Sequence, residues 1–296
     1  MHRTRKGKRL ELTARDIAIF KLLQQYRYLR STYLHALVGG KSLTRFKERL
    51  GDLFHEGYID RPSQQWQFAN ARYAPAIYEL GAGAQSALSQ RDESAGEPRT
   101  FLAETAHRQF LHSLMICEVL ASLELGILGS AGLRLIPWPE ILRKAPEPTR
   151  QCQTPFRLPL PSGGYLVPDA LFGIEYGSNE AKRYRFFALE ADRGTMPVAR
   201  IESRQTSLLG KVTLYKEALE RQIQKMHWGL PNLLVLTIAP SQVRVTNLIE
   251  RLEAKSRCNA VFLFKAANTS ELTAPMQQLF FEPWQRAGFA ALAIDV

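Results

Sequence analysis

Three carboxylates, Asp169, Glu190 and Asp192, stand at the edges of short apolar runs, in "LVPDALFGI" (Leu166 to Ile174) and "RFFALEADRG" (Arg185 to Gly194). Desolvating an unpaired carboxylate is costly, so acids in such places need a partner. A strand-borne Asp, followed 21 residues later by a second strand carrying Glu-x-acid, is a way to hold a divalent cation. If Gly177 to Lys182 turn a hairpin, Asp169 and Glu190 converge at one sheet edge, and residue 191 offers a backbone carbonyl to the same ion. Mg2+ or Mn2+ held this way would lower the pKa of a bound water and neutralise charge building on a phosphate during in-line displacement. Asp192, two residues after Glu190, is predicted to point to the same side of its strand. Three acids crowded together repel unless a cation lies among them. A plainer reading of each stays open: Asp169 after Pro168 caps a turn, and Glu190 and Asp192 pair with Arg193 and Arg200.

The elements around these residues alternate in type. Strand-like runs at 165–174 and 184–191 precede a helical run from about Ser203 to Met226; an apolar strand "NLLVLTI", a helix near Ser241 to Lys255 and a strand "AVFLF" follow. Before them come a long amphipathic helix, "FLAETAHRQFLHSLMICEVLASLELG", and a Pro-rich stretch, 137–161, expected as irregular loops. This order predicts an α/β (α+β) domain over 101–296 with a mixed central sheet.

The amino-terminal part reads differently. "LTARDIAIFKLLQQY" starts a helix at Thr13, with Asp16 completing an approximate capping box and Ile17, Phe20 and Leu23 on one stripe. A short second helix begins at Ser31 or Thr32 and stops at Gly39 and Gly40. A third, from Ser42 to Gly57, is predicted to bury Leu43, Phe46, Leu50 and Leu53 and to carry Arg45, Lys47 and Arg49 on its other face. Short β-prone pieces follow: Tyr58 with Ile59, "WQF" and "RYAPAIYEL". Three helices and two short strands are the order of a winged helix-turn-helix, in which the third helix enters the major groove of DNA. That predicts a DNA-binding domain over 1–90; the polar stretch 91–100 reads as a linker.

Charge supports that reading. The chain carries a formal +11, and residues 1–61 hold 14 Lys or Arg against six Asp or Glu. Arg3, Arg5, Lys6, Lys8 and Arg9 make a basic arm ahead of the first helix. A basic block beside a helical module is the footprint of a phosphate-binding surface, and its alternative is a helical bundle with a solvated basic face.

Other classes find little support. Cys117, Cys152 and Cys258 are odd in number and lack metal spacing, which predicts a reducing, cytoplasmic compartment. The apolar run Leu233 to Ala239 is too short to span a bilayer, and the basic start leads into "ELTARD", so no membrane insertion or export is expected. There is no Gly-rich phosphate loop with Lys and Ser/Thr, no HExxH and no nucleophile elbow, and "GAGAQSAL" reads as a turn leading into a helix.

"PDALFGI", "FFALEADRGTMP" and "KVTLYKEAL" resemble the replication-relaxation proteins, plasmid mobilisation factors. The "LTARDIAIFKLLQQYRYLRSTYL" opening, the "LHSLMICEVLASL" helix and "LLVLTIAPSQVRVTNLIERL" fit the same family. The resemblance implies a winged helix followed by a restriction-endonuclease-like domain of the PD-(D/E)XK type. It implies Asp169 and Glu190 as ligands of Mg2+ or Mn2+, with Asp192 where typical members of that nuclease fold carry a lysine. An acid cannot stabilise a developing phosphorane as a lysine does. Either Lys211 brings its ammonium in from the following helix, or the chemistry is lost or altered. Tyr215, four residues on, shares its helix face. It is a core aromatic or a covalent nucleophile, with water as the other nucleophile. Arg193 is a second candidate phosphate clamp, and His107 or His112 a helper on the long helix.

Two functions follow as expectations. The first is a metal-dependent nickase, with Asp169, Glu190, Asp192 and Lys211 in its site and Arg45, Lys47, Arg49, Arg3, Arg5 and Lys6 on DNA, acting at an origin-like duplex site alongside other mobilisation or replication proteins. The second is a non-catalytic DNA-binding regulator whose nuclease-like domain serves dimerisation or partner contact.

Overall fold

The computed structural model describes residues 10–67, 72–91, 110–177, 182–194, 208–255, 260–268 and 271–296, with Thr4 and Gly7. The basic arm residues Arg3, Arg5, Lys6, Lys8 and Arg9, most of the expected linker, His107, Arg200 and Cys258 lie outside them. The fold is α/β, and the chain divides into two compact units, Met1–Leu125 with Ser270–Met276, and Gly126–Thr269 with Gln277–Val296.

In the first unit, α1 (Ala14–Tyr26) opens on a complete capping box. Thr13 Oγ1 accepts from Asp16 N at 3.3 Å, and Asp16 Oδ2 accepts from Thr13 N at 2.8 Å. Ile17, Phe20 and Leu23 are buried as the spacing predicts. After β1 (Leu29–Arg30), α2 (Ser31–Val38) stops at Gly39, whose φ of 71° suits glycine. α3 (Leu43–His55) is capped by Ser42 and buries Phe46, Leu50, Leu53 and Phe54. Leu43, expected in the core, is 39% exposed because it opens the helix ahead of the first buried turn. β2 (Ile59–Asp60) and β3 (Ile77–Leu80) pair antiparallel, and β3 also pairs with β1. Trp66 and Gln67 of "WQF" form no strand, and Phe68 lies outside the described residues: Ser63–Gln67 is a 3-10 turn. Its buried Gln65 accepts from Ile77 N and donates to Ile77 O, filling the hydrogen bonds a strand partner would supply. α4 (Ala82–Gln90) follows Gly81, so "GAGAQSAL" leads into a helix as expected.

The long helix, α5 (Phe110–Leu128), contains the division between the two units, which falls after Leu125. Its first four turns carry partners for the amino-terminal helices. Arg30 Nε donates to Glu118 Oε1 at 2.6 Å, the Tyr26 hydroxyl donates to Glu124, and Phe110 meets the edge of Tyr28. Among the described residues α5 is the one helix long and apolar enough to cross a membrane by length and composition, and most of it is buried inside the structure.

The second unit is built on a seven-stranded sheet ordered β12-β11-β10-β9-β8-β7-β4. β4 (Leu133–Pro137) is an edge strand, and α6 (Trp138–Lys144) and α7 (Glu147–Arg150) follow it. The Pro-rich stretch thus forms two short helices, because Pro139 and Pro148 fall in first turns, where a missing N–H costs nothing. β5 (Leu158–Pro159) and β6 (Tyr165–Leu166) make a separate two-stranded hairpin. β7 (Ala170–Tyr176) and β8 (Arg183–Ala191) are the predicted antiparallel hairpin. The expected long helix is two, α8 (Leu208–Glu220) and α9 (Ile223–Trp228), broken where Gln222 adopts a φ of 54°. β9 (Leu234–Ala239), α10 (Gln242–Lys255) and β10 (Phe262–Ala266) complete two parallel steps from β8, and α11 (Gln278–Phe281), β11 (Trp284–Arg286) and β12 (Phe289–Leu292) close the far edge. Leu171, Ala188, Val235 and Phe262 pack under Val212 and Tyr215 of α8 and Val245 and Leu248 of α10.

Candidate active site

The site lies where the β7–β8 hairpin ends. The last paired residues there are Ala170 and Leu189, and the next along each strand are Asp169 and Glu190. Pro168 ahead of Asp169 disfavours a helical conformation before it, so the chain arrives extended. Asp169 N donates to Leu189 O at 3.0 Å, and Asp169 Oδ2 accepts from Ala191 N at 2.8 Å. The backbone of β8 thus fixes one acid beside the other.

α8 lies over this end. Lys211 Nζ donates to Glu190 Oε2 at 2.5 Å and to Asp169 Oδ1 at 3.5 Å. One turn later the Tyr215 hydroxyl donates to Glu190 Oε1 at 2.7 Å. The i to i+4 spacing that the sequence predicts to share a face therefore delivers two donors to one carboxylate. Glu190 is 3% exposed. Burial pushes its carboxyl up to about 7, the charge of Asp169 adds to this, and Lys211 opposes it. Burial alone would lower Lys211, but Glu190 and Asp169 outweigh it and hold the ammonium protonated. Burial, with Glu190 next, drives the Tyr215 phenol well above its ordinary value, so it is a hydrogen-bond donor and not a phenolate.

Asp192 does not join them, contrary to the expected crowding of three acids. β8 ends at Ala191, and strand alternation ends with it. Asp192 N donates to Ile238 O, Asp192 Oδ1 accepts from Gly194 N at 2.8 Å, and Asp192 Oδ2 accepts from Arg244 Nε at 2.7 Å. Among the described residues no group of three or more His, Cys, Asp or Glu side chains is placed to hold a metal. Arg193 sits partly exposed just beyond the strand. His112 belongs to the first unit, not to the unit holding this cluster.

On the proposed DNA face, Arg45 and Lys47 are exposed, as predicted. Arg49 is half-buried and its guanidinium is engaged within the fold. Its Nη2 and Nε donate to Asp16 at 2.6 and 3.0 Å, and Nη2 also donates to Glu11 O at 2.7 Å, so α3 is tied to the start of α1. Helical spacing alone cannot reveal this, because the partner lies 33 residues away.

Arg244 is the residue that sequence reasoning missed. A topological signal existed: the first turn of a helix following a parallel strand lies near the carboxyl ends of neighbouring strands, where α/β sheets place their sites. Arg244 is the cation of that turn.

No curated protein and no solved structure matches the chain. The replication-relaxation family matches residues 20–233, a span that includes Asp169, Glu190, Lys211 and Tyr215 and stops short of Arg244. With more than two-thirds of its length matched, the chain belongs to the replication-relaxation family, which ties it to plasmid or mobile-element replication or transfer.

Proposed function

We propose that the chain is a DNA-binding nickase acting at an origin-like duplex site, with its chemistry at Asp169 and Glu190. The observation that carries this is the convergence of two acids from neighbouring strands on one lysine at the end of a mixed sheet. The donor set suits a hard cation: Asp169 Oδ1 and Glu190 Oε2 are carboxylate oxygens turned toward a single positive charge. Asp169 and Glu190 are the residues that would hold Mg2+ or Mn2+, and the ion would supply an activated water and charge neutralisation at phosphate.

The chain's own groups carry the rest. Lys211 brings to the acids the ammonium that Asp192 cannot offer, and it is the group positioned to meet a phosphate oxygen. Tyr215 orients Glu190 by donating to Oε1. Water is the nucleophile in this reading, since the Tyr215 hydroxyl is buried and committed to Glu190. Arg45 and Lys47, in a winged helix-turn-helix, engage the backbone of duplex DNA, while the basic arm adds charge.

A second reading has an observation of its own. No third acid accompanies Asp169 and Glu190 among the described residues, and Lys211 already neutralises the pair, as in a nuclease-like domain kept for dimerisation or partner contact. Supercoiled plasmid carrying the cognate origin separates the two. The nickase relaxes it in Mg2+ or Mn2+ but not in chelator, and Asp169→Ala and Glu190→Ala lose the activity. A wild-type protein that binds the origin yet leaves it supercoiled in either metal makes the chain a regulator.

A further inference from the structure

Each oxygen of the acid pair has an assigned neighbour. Asp169 Oδ2 accepts from the Ala191 amide and Glu190 Oε1 from the Tyr215 hydroxyl, and the other oxygen of each acid, Asp169 Oδ1 and Glu190 Oε2, is turned to Lys211. Both of these face Lys211 Nζ, at 3.5 and 2.5 Å. An ion held by the same two oxygens would have to take over the place of the ammonium that now contacts both. Two positive charges cannot share that space. Lys211 has somewhere else to go, because its side chain is 22% exposed while that of Glu190 is 3% exposed. It also hangs on a flexible four-carbon stem from the first turn of α8.

We infer that Lys211 is an internal stand-in for the divalent cation: its ammonium neutralises Asp169 and Glu190 in the metal-free protein and must swing out before metal binds. This rests on the reading of those two acids as metal ligands. A lysine acting in this way opposes metal binding, whereas one that only assists the chemistry leaves binding unchanged. Once displaced, the ammonium is free for a phosphate oxygen, so arrival of metal and readiness of the phosphate clamp become a single event.

The test is calorimetric titration of the full chain with Mn2+ without DNA, comparing wild type with Lys211→Met and Lys211→Gln, the second of which keeps a hydrogen-bond donor for Glu190 should the first fail to fold. The expected result is tighter Mn2+ binding by about tenfold in the variants, a lower Tm without metal, and a larger Mn2+-induced rise in Tm than in wild type. An Asp169→Asn variant that no longer takes up Mn2+ assigns the heat to this site. Binding that is unchanged or weaker in both lysine variants overturns the stand-in role and leaves the metal site in place. Absence of Mn2+ uptake by wild type and variants alike overturns both.

Discussion

Arg244 Nε donates to Asp192 Oδ2 at 2.7 Å, and both side chains are largely buried, at 16% and 6% exposure. The acid that strand alternation would place beside Glu190 is thereby bound to α10. Removing one partner of a buried pair strands the other's charge. Arg244→Ala is expected to destabilise the protein by about 3–5 kcal/mol in denaturant unfolding. Replacing both residues, as Arg244→Met with Asp192→Asn, should recover much of that loss. A single variant as stable as wild type would mean that the pair does not hold the strand end.

The Asp16–Arg49 pair makes a prediction about pH. Burial raises the Asp16 carboxyl, but hydrogen bonds from Arg49 and Thr13 outweigh this and leave its pKa below the ordinary 3.8. A depressed folded-state pKa adds stability above the unfolded value that is lost as pH falls through the folded one. Asp16→Asn should therefore cost about 1–3 kcal/mol near neutral pH. The gap between variant and wild type should close as pH drops below 3.8. A gap independent of pH would show that packing, not ionisation, sets the cost.

Arg45 and Lys47 should behave unlike Arg49. Replacing the first two with alanine is expected to weaken duplex binding at unchanged Tm and to flatten the slope of log K against log salt by about 1.8, the release of two counterions. Arg49→Ala should instead lower Tm, since its guanidinium is bound to Asp16 and Glu11. A normal salt slope in the double variant would remove the third helix from the DNA-binding face.

Tyr215→Phe removes one donor from Glu190 and is expected to cost about 1 kcal/mol of stability. Nicking should persist at a reduced rate, with no covalent protein–DNA adduct in either protein under denaturing electrophoresis. An adduct formed by wild type and lost in the variant would make the phenol the nucleophile.

Gly81 has a backbone reason to be glycine. A Cβ there would stand 2.8 Å from the carbonyl oxygens of both Gly57 and Tyr58, which cannot rotate away. Gly81→Ala is expected to destabilise by about 1–3 kcal/mol, measured by thermal or urea unfolding.

What the sequence revealed follows from the range of the interactions involved. The capping box at Thr13 and Asp16, the β7–β8 hairpin and the shared face of Lys211 and Tyr215 are set by residues at most a few positions, or one turn, apart. Periodicity reads such features directly. Arg49 with Asp16, Asp192 with Arg244 and α5 with the amino-terminal helices depend on partners 33, 52 and about 90 residues away. Only the assembled fold selects those partners. Proline misled in the stretch 137–161 because the same residue that ends a helix is also welcome at its beginning.

Asp169 is held through an amide of the neighbouring strand, so the distance between the two acids is a property of how β7 and β8 are aligned. Were that alignment to slip by one position, Glu190 would turn to the opposite surface and Lys211 would face backbone. The charged cluster is thus a checkpoint of correct assembly: a chain mispaired at this hairpin cannot bring Asp169, Glu190 and Lys211 together.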